Sequence, residues 1–218
     1  MGKISKNTAG FITLDYRIDR APPRFETNAI KYPEPLVRHF MKLYTKKGDK
    51  VFDPFAGLGT TLFVAEELKR VPFGIECDRQ RYEWVAGQMA HWQNLKCGDS
   101  ARLDRMDLPK MDFCMASPPF MKRSDKWNPL YAGDPAKAGY DVYLKRLRFI
   151  YAKISRQMKP GGTVVVHADN IPGRVYTPLV HDMAAAAGHS LSLQNEIIVA
   201  WRNGPAHYSH THCLVFRA

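Results

Sequence analysis

KVFDPFAGLGTTLFVAEELK, residues 50–69, carries a short apolar strand, a glycine turn and a helix in one uninterrupted run. Lys50–Pro54 reads as a buried strand, Gly57 and Gly59 as a turn, and Thr60–Lys69 as a helix. Glycines at such a corner let the backbone approach a ligand closely, and the helix behind them offers free N–H groups. The run lacks G-K-[ST], so it is not a P-loop, and Leu62 occupies the last glycine position of the dinucleotide pattern G-x-G-x-x-G. A glycine pair after a strand also makes an ordinary tight turn. The run by itself leaves both readings open.

Working outward, Val71–Glu76 reads as a second strand and Arg79–Trp92 as a helix burying Tyr82, Val85, Met89 and Trp92. Leu95–Gly98 and Met111–Ser117 are further strands, the latter broken by Pro118-Pro119. Residues 121–139 are loop-like, basic and aromatic, and too long to be mere connection. Tyr140–Met158 is the longest helix, with Tyr143, Leu147, Ile150, Ile154 and Met158 on one face, stopped by Lys159-Pro160-Gly161-Gly162. Thr163–His167 is a strand and Val175–Ala187 a helix capped by Gly188. Leu191–Trp201 and His212–Phe216 are closing strands joined through Arg202-Asn203-Gly204-Pro205. Upstream, a helix starts near Tyr32-Pro33, and residues 1–28 read as an arm or lid. Strand–helix alternation with a terminal hairpin predicts α/β, a mostly parallel sheet and one domain over 1–218.

The chain has 218 residues, 45% of them hydrophobic, enough for a real core and against wholesale disorder. No apolar run reaches the ~20 residues of a membrane span, and MGKISKNTAG has no signal-peptide core, so the expectation is cytoplasmic with no membrane partner. Cys77, Cys97, Cys114 and Cys213 form no C-x-x-C pair and read as free thiols. His207-x-x-His210-x-His212-Cys213 invites a metal, but Cys213 points away from His210 and His212 on a strand, so no metal is expected. A formal charge of +11, from 32 basic and 21 acidic residues, fits a polyanionic partner such as nucleic acid.

Three further features end strands on the edge where open α/β sheets bind ligands. Glu76 is placed to accept from both ribose hydroxyls of an adenosine-containing cofactor, or to act as an acid capping the next helix. Asp99 is placed to accept from an adenine amine, or to close an ordinary strand-end turn. Ser117-Pro118-Pro119-Phe120 has lost two N–H donors, which frees carbonyls for other partners. Ser117 and the Pro118 carbonyl suit the two protons of an exocyclic amine, and Phe120 suits the face of a flat heterocycle. The alternative is a proline-kinked strand exit with a core Phe.

In this order DPFAGLGTT, GIE, GD and SPPF resemble motifs I to IV of the amino-methyltransferases, S-adenosylmethionine (SAM) enzymes of cytosine N4 and adenine N6. Thr27–Leu36 is similar to the family's cofactor-side N-terminal motif, and the long helix with KPGG and TVVVH to its fold. The resemblance implies a Rossmann-like class I SAM-dependent methyltransferase fold with a seven-stranded sheet and a C-terminal antiparallel hairpin. It implies SAM as cofactor, held by Asp53, Pro54, Phe55, Ala56, Gly57, Gly59, Thr60, Glu76, Cys77 and Asp99. Catalysis would fall to Ser117, Pro118, Pro119 and Phe120, whose serine start points to cytosine N4 in DNA ahead of adenine N6. Lys122, Arg123, Lys126 and Trp127 follow directly and suit phosphates and a vacated base stack.

No insert is large enough for a separate target-recognition domain. Only 1–28, 121–139 and 202–209 remain for reading sequence, which keeps a dimer or specificity partner in view. The rivals are the same chemistry on rRNA or tRNA, and a catalytically silent nucleic-acid-binding subunit. A small-molecule methyltransferase is third, since the charge and the flat-base signature oppose it.

Overall fold

The computed structural model describes residues 10–26 and 31–218. Its strands are β1 (Phe11–Asp15), β2 (Lys50–Asp53), β3 (Val71–Glu76), β4 (Leu95–Cys97), β5 (Met111–Ala116), β6 (Met158–Ala168), β7 (Ser192–Arg202) and β8 (His210–Arg217). The helices are α1 (Glu34–Tyr44), α2 (Thr60–Glu67), α3 (Arg79–Ala86), α4 (Tyr140–Gln157) and α5 (Leu179–Gly188). All the strands form one sheet in the order β1-β7-β8-β6-β5-β2-β3-β4. Only β8 runs antiparallel to its neighbours, β6 and β7.

The sheet has eight strands where the sequence suggested seven. The added one is β1, inside the stretch read as an arm or lid, and it pairs in parallel with β7 at the sheet edge. Residues 1–9 of that arm, and Thr27–Ile30 of the N-terminal motif, lie outside the described residues.

Three helix boundaries also differ. The helix read as Arg79–Trp92 ends at Ala86 beside Gly87, leaving Trp92 about half exposed in a separate 3-10 turn. The helix read from Val175 starts at Leu179, because Pro178 holds the residue before it out of the helical region. It also runs through Gly188, with His189 as its cap. Lys159–Gly162 does not form a loop after α4 but opens β6.

Core residues cover both faces of the sheet. Tyr143, Leu147, Ile150, Tyr151 and Ile154 of α4 join β5, β6 and α5 on one side. Leu36, Val37, Phe40 and Met41 of α1 join β2, β5, β7 and β8 on the other. Among the described residues no helix is long and apolar enough to cross a membrane.

The strand order reverses between β2 and β5, and such a switch point opens a crevice at the carboxyl ends of the strands. Phe52 pairs with Cys114, so the chain leaves β2 and β5 side by side, one into the glycine turn and the other into Ser117.

Candidate cofactor cleft and acceptor corner

The glycine turn is held from below by two buried carboxylates. Asp53 accepts from the Phe55 N–H at 2.9 Å and from Tyr32 Oη at 3.2 Å. Burial pushes its pKa up to about 6, against the hydrogen bonds that favour the charge. Glu76 accepts from the Gly57 N–H at 2.6 Å and from the Asp78 N–H at 2.8 Å, and burial raises its pKa too. Glu76 therefore braces the turn against the start of α3, with Asp78 capping that helix through Arg81 N.

Gly59 sits at φ +74°, and a Cβ there would lie 2.8 Å from Val85 Cγ1 and 2.9 Å from Phe63 Cε2. Only glycine lets the turn pack this closely on α2 and α3.

Asp99 is engaged more than the sequence indicated. One oxygen accepts from Ala101 N at 2.8 Å and the other pairs with Arg146 at 2.5 Å. Cys77 is exposed, and its sulfur lies 3.7 Å from Glu76 Oε1.

One cleft is lined by Lys31, Tyr32, Phe55, Ala56, Gly57, Leu58, Thr60 and Ser117. It brings the glycine turn and the first residue of the proline corner onto a common wall. Lys31 and Tyr32 escaped the sequence-based site, although Thr27–Leu36 had been singled out. Lys31 is buried against Glu34 and donates to the Arg20 carbonyl at 2.9 Å. Glu34 also accepts from the backbone N–H groups of Asp19 and Arg20, which straps those two residues to α1.

At the corner, Ala116 pairs with Val166, so Ser117 comes level with His167 of β6. Ser117 Oγ lies 2.9 Å from His167 Nδ1. The Phe120 ring stacks on the same imidazole, with centroids 6.0 Å apart and planes 22° apart. The Pro119 carbonyl accepts from Tyr143 Oη at 3.0 Å, which fixes the corner to α4. Lys122, Arg123, Lys126 and Trp127 are all exposed. Arg123 is tied to Asp182 at 3.1 Å, while Trp127 lies on Gly133, where no side chain would fit. His212, opposite Ala168 in the sheet, pairs with Glu196 at 2.7 Å.

Residues 13–87 match the N6/N4 family of DNA methylases. The likeness is confined to that stretch, about a third of the chain. It contains the glycine turn and Glu76, and it ends short of Ser117–Phe120. Over 57 residues the chain is 40% identical to the type II methyltransferase M.MjaI of Methanocaldococcus jannaschii, covering 26% of this chain and 19% of that one. Over 62 residues it is 38% identical to M.BglII of Bacillus subtilis, covering 27% and 17%. The matches thus span under a fifth of either relative.

The fold has wider company. TrmN from Thermus thermophilus superposes with a TM-score of 0.60 at 18% identity, over 84% of this chain and 48% of that one. A TehB-like SAM-dependent methyltransferase from Corynebacterium glutamicum gives 0.53 at 14%, over 83% and 85%. The sheet is that of the class I SAM-dependent methyltransferases. The likeness to DNA methylases and the fold together imply SAM as the cofactor. The turn fits it, with Gly57 and Gly59 at positive φ, a helix N-terminus behind them, and Glu76 beneath.

Proposed function

We propose that the chain transfers a methyl group from SAM to the exocyclic amine of a nucleic-acid base, N4 of cytosine in DNA ahead of N6 of adenine. One observation carries the reading: Ser117 lines the same cleft as the glycine turn. A donor cradled by Phe55–Thr60 and an amine gripped at 117–120 would meet there without any domain movement. Serine at the head of the tetrapeptide supports cytosine, in keeping with the resemblance.

SAM, when bound, supplies a methyl group on a cationic sulfur. The chain's own residues would do the rest by binding and orientation. A base amine is a poor nucleophile because its lone pair is delocalised into the ring. Ser117 Oγ and the Pro118 carbonyl would accept its two N–H bonds, favouring a pyramidal nitrogen whose lone pair faces the cleft. Phe120 would hold the ring by stacking. Fixed dipoles at the corner would stabilise the positive charge that develops on nitrogen, and proximity would supply much of the rate. In a duplex the base must first leave the stack, at a cost of a few kcal/mol.

Incubation with labelled SAM and separate DNA and RNA pools, followed by digestion and mass identification of nucleosides, tests the whole reading. N4-methylcytosine in the DNA pool is expected. Label in adenine or in RNA would move the substrate, and no label in either would end the proposal. Ser117→Ala should slow transfer by roughly tenfold or more while SAM affinity stays near wild type. Affinity falling in step with the rate would remove Ser117 from the acceptor side.

A further inference from the structure

Behind Ser117 runs a chain of polar side chains that the proposed reaction does not by itself require. His167 Nδ1 faces Ser117 Oγ at 2.9 Å, and His167 Nε2 faces Tyr208 Oη at 3.2 Å. Tyr208 in turn donates to Asp169 Oδ2 at 3.2 Å. His167 is buried, with Tyr32 and Phe120 against its ring. Residues from β5, β6 and the β7–β8 connection thus converge on one imidazole.

The direction of each hydrogen bond follows from the far end. A carboxylate only accepts, so Tyr208 donates its single O–H to Asp169 and offers only lone pairs to His167. His167 Nε2 must then carry the hydrogen. A neutral imidazole has one N–H, which leaves Nδ1 as an acceptor. Burial favours that neutral ring, against Asp169 and in concert with His212, the other titratable neighbours. Ser117 must therefore give its O–H to Nδ1, and its lone pairs are what it presents to the cleft.

We propose that His167, Tyr208 and Asp169 are positioning residues that lock Ser117 as a one-way hydrogen-bond acceptor, so that the corner admits a group bearing N–H and rejects one presenting a carbonyl. The proposal rests on the methyl-transfer reading for its substrate, but the orientation of the chain stands by itself. A cytosine or adenine amine satisfies Ser117. The carbonyl at the equivalent edge of uracil or guanine leaves two acceptors facing each other.

Two measurements decide it. Long-range nitrogen–proton spectra of histidine-labelled full-length protein, with His167 assigned by its loss in His167→Gln, should show the Nε2–H tautomer at neutral pH. An Nδ1–H ring or an imidazolium would overturn the assignment. Kinetically, Tyr208→Phe should slow methyl transfer about tenfold with SAM affinity unchanged, yet add almost nothing to Ser117→Ala, because it acts through that hydroxyl. Losses that multiply, or a Tyr208→Phe rate equal to wild type, would sink the proposal. If the wild-type protein methylates no nucleic acid, the function proposed above fails, and the tautomer alone decides the orientation of the chain.

Discussion

Asp53 is 1% exposed, and its oxygens accept from the Phe55 N–H and the Tyr32 hydroxyl rather than from a cation. Burial moves its pKa from 3.8 to about 6. Between those values the unfolded chain releases a proton that the folded one keeps. The stability this proton contributes is whole below the unfolded pKa and is lost as pH rises through the folded one, about 3 kcal/mol in all. Asp53→Asn should therefore stabilise the protein more at pH 8 than at pH 4, read as the difference in melting temperature. An equal effect at both pH values would mean that Asp53 is not held protonated by the fold. The same variant should bind SAM more weakly by calorimetry, since the Phe55 N–H and Tyr32 are arranged around a carboxylate. Stability and binding would then move in opposite directions, as they do where a strained group serves a site.

The element that most depends on a single residue is the start of α2. Gly59→Ala would force a left-handed backbone onto a residue with a Cβ, at about 1–2 kcal/mol, and push that Cβ into Val85 and Phe63. Chemical denaturation should show a loss of at least that size, with SAM affinity reduced because Val85 anchors α3 beside the turn; an unchanged midpoint would contradict the packing. This corner was legible in the sequence because strand, turn and helix are contiguous there, and β3 came out at Val71–Glu76 for the same reason. The edge strand β1 was not. Its five residues alternate between exposed and half-buried, and their partners Ile198–Arg202 lie far along the chain. Ser117 could be named from its tetrapeptide, but its link to the side chains behind it could not. His167 and Tyr208 reach it only through the β5–β6 register and a connection in the terminal hairpin. Helix α3 was read too long because Met89 is buried beyond Gly87 and continues the apolar spacing after the helix has ended.

Over the whole molecule the excess of positive charge is +11, and Lys122 and Lys126 stand exposed directly after the acceptor corner. If they meet phosphates, log affinity for duplex DNA should fall linearly with log salt, and replacing both by alanine should flatten the slope by about two units. A slope that ignores salt would exclude a phosphate-dominated contact. Arg123 is a poorer candidate for such a contact, since Asp182 already neutralises it. Strand pairing, by contrast, governs Ser117. A shift of one residue between β5 and β6 would swing His167 to the opposite face of the sheet and leave the hydroxyl free to rotate. If residues 121–139 hold the target as the proposed function has it, a foreign segment grafted in their place would change which sequences or shapes are taken, while the functional group demanded of any newcomer stays as it was.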